Sequence, residues 1–75
     1  MTQSSTDEAV AANVRAEMGR HKCTQVTLAD RIGMTQQTLS RRLGAQTSFT
    51  VTELGRVADA LGVPMSALIG REAVA

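Results

Sequence analysis

Apolar residues recur at helical spacing along the chain, in short bursts punctuated by glycine, proline or a small polar residue. Val10, Val14 and Met18 fall at steps of four with Ala11 beside them, which predicts a first helix over 6–21 with a narrow apolar stripe. Ser5 and Glu8 stand at capping-box spacing ahead of it. Leu28, Ala29 and Ile32 form the next burst, a second helix that begins at Thr24 or Gln25 and stops at Gly33. Thr35 then reads as an N-cap, with Met34 and Leu39 as its hydrophobic staple, and a third helix runs over 36–43 to a stop at Gly44.

The strongest local signature follows. Thr50 and Glu53 make a capping box, and Phe49 and Leu54 supply the matching staple. Leu54, Val57, Ala58 and Leu61 continue a fourth helix to Gly62. Pro64 opens a fifth, with Met65, Leu68 and Ile69 as its apolar face and Gly70 closing it. Five helices without a credible strand predict an all-α bundle. One domain is expected over 6–70, with a disordered arm at 1–5 and a frayed tail at 71–75.

Composition narrows this picture. A chain of 75 residues buries only about 60% of its unfolded surface, so the core must be economical. Cys23 is the one cysteine, which excludes an intrachain disulfide framework. The polar, acidic start does not resemble a signal peptide, and no apolar run is long enough to span a membrane, so a cytoplasmic setting is expected. Phe49 is the only aromatic residue, too little for stacking on single-stranded nucleic acid. His21 and Cys23 lack partners at metal-ligand spacing, and no nucleophile–base pair or glycine-rich phosphate loop exists. Neither metal, cofactor nor enzymatic activity is expected.

The net charge of +1 becomes informative once divided along the chain. Between residues 9 and 44 lie Arg15, Arg20, Lys22, Arg31, Arg41 and Arg42, against only Glu17 and Asp30. The basic excess therefore sits in the half that holds the second and third helices, where a polyanion could be met. Arg15, Arg20, His21 and Lys22 crowd the end of the first helix, where cations complement the helix dipole. On a helical wheel, Leu39 and Leu43 mark the buried side of the third helix. Gln37 and Arg41 point away, Ser40 lies to one side, Gln36 projects from the first turn and Arg42 takes a flank. Amide and guanidinium groups in that array suit the hydrogen-bonding edges of bases.

These residues, in this order, resemble the DNA-binding domain of the phage Cro and repressor family, the five-helix, lambda-repressor-like type of helix-turn-helix. The resemblance runs through Thr24-Gln25, Leu28-Ala29, Ile32-Gly33, Thr35-Gln36-Gln37 and Leu39-Ser40-Arg41. It continues in Leu54, the stretch from Ala58 to Val63, and Leu68-Ile69. It implies base contacts by Gln36, Gln37, Ser40 and Arg41 from the third helix. It implies backbone contacts by Gln25, Thr35, Arg42 and the loop Gln46-Thr47-Ser48. Many members hold a buried Arg–Glu pair where this chain has Met18 and Leu43, so an apolar contact is expected there instead. The family often ends its third helix with an acidic-Asn-Gly run, and this chain has Leu43-Gly44-Ala45.

The function so implied is a sequence-specific, double-stranded DNA-binding transcriptional regulator. A phage or prophage repressor on a pseudo-palindromic operator fits best, in the cytoplasm at the nucleoid. Two other features stay open. Val63, Met65, Leu68 and Ile69 could form a weak homodimer face, or pairing could occur only on DNA. The same face could instead serve an antitoxin-like module that binds a protein as well as its own promoter.

Overall fold

The computed structural model describes residues 6–70 in full, together with the helical backbone that runs on to Thr2 and Val74. The helices are α1 Thr2–Arg20, α2 Gln25–Ile32, α3 Gln36–Leu43, α4 Val51–Leu61 and α5 Met65–Val74. Among the described residues there is no strand. The helix bounds open at Thr2, upstream of the expected Thr6. The side chains of 1–5 and 71–75, and with them the expected Ser5 cap, lie outside the described residues.

Each apolar burst lands on the inside. Ala11, Val14 and Met18 of α1, Leu28, Ala29 and Ile32 of α2, and Leu39 and Leu43 of α3 are buried. So are Leu54, Val57, Ala58 and Leu61 of α4 and Leu68 of α5, and all of these but Ala11 join one contiguous cluster. A fully buried leucine or valine contributes about 1.5–3 kcal/mol, so three leucines and two valines at full burial carry much of a domain this small. Met18 and Leu43 both belong to that cluster, where an apolar contact is expected. α1 packs most closely along α5, and the Asn13 Nδ2 amide donates to the Leu68 carbonyl at 2.9 Å between them. α3 packs on α1 and α2, and its backbone stays clear of α4.

Four helices end in the same way. The N–H two residues past the cap returns to a carbonyl one turn back, as in Cys23 to Met18 (2.9 Å), Met34 to Ala29 (2.9 Å), Gln46 to Arg41 (3.0 Å) and Val63 to Ala58 (3.0 Å). This arrangement needs one residue with positive φ. Gly33 and Gly62 supply it after α2 and α4, at φ 69° and 70°. After α1 and α3 the left-handed residues are Lys22 (φ 52°) and Ala45 (φ 60°).

The expected stop at Gly44 is met, since α3 ends at Leu43 and Gly44 caps it, but the left-handed turn falls one residue later. Gly44 has φ −90° and ψ 4°, which any residue adopts, and the chain reverses at Ala45. In α5, Gly70 (φ 71°, ψ 171°) breaks the helical run at the expected position, although the backbone resumes helical geometry beyond it.

Candidate nucleic-acid interface

The helix-turn-helix is built from two copies of one local device. Thr24 caps α2 by accepting the Thr27 N–H at 3.2 Å, and Thr35 caps α3 by accepting the Thr38 N–H at 3.1 Å. In each pair the two hydroxyls also bond, at 3.1 and 2.9 Å. The Thr-x-x-Thr spacing is written in the sequence, where threonine takes the place of the Glu or Gln of a capping box. Between the two helices, Met34 packs partly buried against the core beside Leu39. The turn is thus set by local chemistry.

The outer face of α3 is bare. Gln36, Gln37, Ser40 and Arg41 are all exposed, and their side chains make no hydrogen bond or ion pair among the described residues. Gln25, Thr35, Gln46, Thr47 and Ser48 are exposed as well. Thr35 spends its hydroxyl on the cap, and the Ser48 hydroxyl donates to an Asp7 carboxylate oxygen at 2.7 Å, which ties the loop after α3 to α1.

Arg42 differs from its neighbours. Half-buried, it places Nε on Glu53 Oε1 at 3.0 Å and Nη2 on Glu53 Oε2 at 3.1 Å. Glu53 Oε1 also accepts the Thr50 N–H at 2.9 Å, while Thr50 Oγ1 accepts the Glu53 N–H at 3.0 Å. The capping box of α4 and the ion pair therefore share one carboxylate. The Arg42 hydrogen bonds hold the Glu53 carboxyl below the usual glutamate range; partial burial opposes the shift and the Thr50 N–H adds to it.

Most other cations serve the fold. Arg15 Nη1 donates to the Leu43 carbonyl at the C-terminal end of α3, and Arg31 Nη1 donates to the Ala60 carbonyl near the end of α4 at 3.2 Å. Both roles exploit carbonyls that a helix end leaves unsatisfied. Arg20 and His21 gather on the buried Glu17, at 2.8 and 3.6 Å. The expected dipole role at the end of α1 is thus replaced for Arg15, which reaches across to another helix. Lys22, Arg41 and Arg56 have no side-chain partner among the described residues, and Arg41 alone of the three lies on α3.

Of the apolar residues expected on a partner face, only part remains accessible. Leu68 is fully buried, and Val63 and Met65 pack half-buried against the core cluster. Ile69 is half-buried too. The exposed large apolar side chains are instead Val26 on α2 and Val51 on α4. Among the described residues no group of three His, Cys, Asp or Glu side chains is arranged to hold a metal ion, and no helix is long and apolar enough to cross a membrane.

Against known proteins, a family model described as helix-turn-helix matches residues 14–68, from the middle of α1 to the buried leucine of α5. No curated protein and no solved structure matches the chain.

Proposed function

The chain belongs to the Cro-type helix-turn-helix family of DNA-binding transcription regulators, and from that premise we propose that it is a repressor of the phage or prophage kind, acting by occupying an operator. In this reading α3 lies in the major groove, with Gln36, Gln37, Ser40 and Arg41 on base edges. A glutamine amide pairs bidentately with adenine and an arginine fork with the O6 and N7 of guanine. Gln25, Thr35, Arg42 and the loop over 46–48 face the sugar-phosphate backbone, where Arg42 offers the Nη1 nitrogen that Glu53 does not engage. Two copies on half-sites about one helical turn apart make the operator pseudo-palindromic.

One observation carries the proposal: the outer face of α3 presents two amides, a hydroxyl and a guanidinium whose hydrogen-bonding capacity is unspent, while the cations around them are engaged in holding the fold. Selection from a randomised pool of duplexes tests it, followed by binding of the recovered duplex and a scrambled one. Each bidentate contact is worth about 1–3 kcal/mol, so Gln37→Ala with Arg41→Ala should reduce the preference for the recovered duplex by about 30-fold or more. A double variant that keeps the wild-type preference would sink the assignment. Protection of the operator by the purified chain alone is also expected; occupancy only after a second protein is added would favour the antitoxin-like alternative.

A further inference from the structure

We infer that Glu53, a carboxylate on the side of the molecule proposed to meet DNA, is a positioning residue for recognition: through Arg42 it sets the pose of α3 and the course of the loop that follows. The inference rests on the repressor reading above and adds to it a residue that touches no base and no phosphate.

Three observations converge on Glu53. The first is the absence of close packing between the backbones of α3 and α4, so the distance between them is spanned by long side chains. Arg42 and Glu53 span it with two nearly equal bonds, at 3.0 and 3.1 Å, in the fork geometry that fixes direction as well as distance. The second is the rigidity of the acceptor. Glu53 is held in place by the Thr50 N–H, and its own N–H is held by the Thr50 hydroxyl, so Arg42 is tied to the first turn of α4 and not to a mobile side chain. The third is the location of Arg42. It follows Arg41 directly, in the last turn of an eight-residue helix whose chain then reverses at Ala45. A rotation of α3 about its axis would move Arg42 off Glu53 and swing Arg41 and Gln37 by the same angle.

A negative charge near the phosphate path costs affinity if it is unpaired. Here the charge is absorbed by the Arg42 fork and by the N-terminal end of α4, where the helix dipole favours an anion. Each side chain of the pair is 17% exposed, sheltered enough to hold its geometry. The same C-terminal turn of α3 is also held by Arg15 on the Leu43 carbonyl, so both α1 and α4 grip it.

The experiment uses the full chain, the duplex recovered by selection and a scrambled duplex of equal length, at a temperature well below every variant's unfolding transition. Glu53→Gln keeps an acceptor for the Thr50 N–H but removes the charge. Arg42→Lys keeps the charge for phosphate but cannot make the two-bond fork. Each is expected to lower the preference for the recovered duplex about 5- to 10-fold, and the double variant no further than the worse single one, the mark of coupled residues. In the free protein, the Arg42 Nε–H is expected to exchange slowly with solvent and to lose that protection in Glu53→Gln.

Other outcomes overturn the inference. A wild-type preference in both variants, with only the unfolding temperature reduced, makes the pair a stabilising contact and nothing more. Losses that multiply in the double variant mean that the two residues act independently, Arg42 on phosphate without help from Glu53 and Glu53 as a helix cap alone. A wild-type chain that recovers no preferred duplex overturns the repressor reading itself, and is told apart from the other failures by an intact Arg42 Nε–H signal.

Discussion

α3 and α4 both open on a threonine cap and both end in a left-handed residue, yet they are held in opposite ways. α4 relies mainly on its own residues: four of its eleven are buried, its capping box is complete, and Gly62 meets the demand of its C-terminal turn at no steric cost, with Arg31 of α2 adding one bond at the Ala60 carbonyl. α3 buries only Leu39 and Leu43 in eight residues, and the rest of its stability is borrowed. Arg15 of α1 occupies its last carbonyl, Glu53 of α4 grips Arg42, and a strained Ala45 makes its exit. A helix whose outer face stays unpaired for a ligand has little of its own surface left for anchoring. Neighbouring helices must then supply the anchors, at its ends and flank.

The largest effect that can break this comparison is at Leu39. Leu39→Ala removes a fully buried side chain from the two that anchor α3, at a cost of about 2–5 kcal/mol. Domains of this size have only about 5–15 kcal/mol to lose. Urea titration should show a midpoint shift of that size, whereas Gln37→Ala, on the exposed face, should stay within about 0.5 kcal/mol of wild type. A Leu39→Ala shift no larger than that of Gln37→Ala would mean that α3 does not depend on its inner face.

Glycine exchanges sharpen the contrast with smaller effects. Ala45→Gly should stabilise the chain by about 1 kcal/mol, because an L-residue with positive φ carries a cost that glycine does not. Gly55→Ala should stabilise it by about 0.5–1 kcal/mol for the converse reason, since a Cβ there meets nothing within 4 Å and the position is helix interior. Thermal unfolding measures both. A lower unfolding temperature for Ala45→Gly would contradict the left-handed exit of α3.

Acid provides the smallest effect. Glu53 is held below the usual glutamate range, so its contribution is present above that range and is lost as pH falls through the lowered folded-state value. Stability measured from pH 6 downward should decline less steeply in Glu53→Gln than in wild type, with the difference opening about one unit above the ordinary glutamate value and growing as pH falls. Equal acid slopes would show that the Arg42–Glu53 pair does not persist in solution.

Legibility from sequence followed the range of the interactions. Caps at Thr24, Thr35 and Thr50, and the staples of Met34 with Leu39 and Phe49 with Leu54, involve residues within five positions of one another, and the expected helices α2, α3 and α4 appear where their chemistry puts them. The wheel placed Leu39 and Leu43 inside and Gln37 and Arg41 outside correctly, because helical periodicity decides it. Gly44 ends α3 as expected, but the spacing to the last apolar residue cannot show that the left-handed turn falls on Ala45. The burial of Leu68 is not legible, because an apolar stripe on a terminal helix reads the same whether it faces a partner or its own core.

The sequence by itself determined five helices, the caps of α2, α3 and α4, the inward leucines and the polar outer face of α3, since each depends on neighbours in the chain. Only the tertiary structure decided what the arginines do. Arg42 finds Glu53 across 11 positions, Arg15 finds the Leu43 carbonyl across 28, Arg31 the Ala60 carbonyl across 29, and Ser48 finds Asp7 across 41. The acceptors at Leu43 and Ala60 are backbone carbonyls, which every residue carries and no side-chain pattern reveals. A long flexible cation can serve any acceptor within its reach, so its role is settled by which helix ends the packed core brings beside it, and that core is what left Arg41 free on the face of α3.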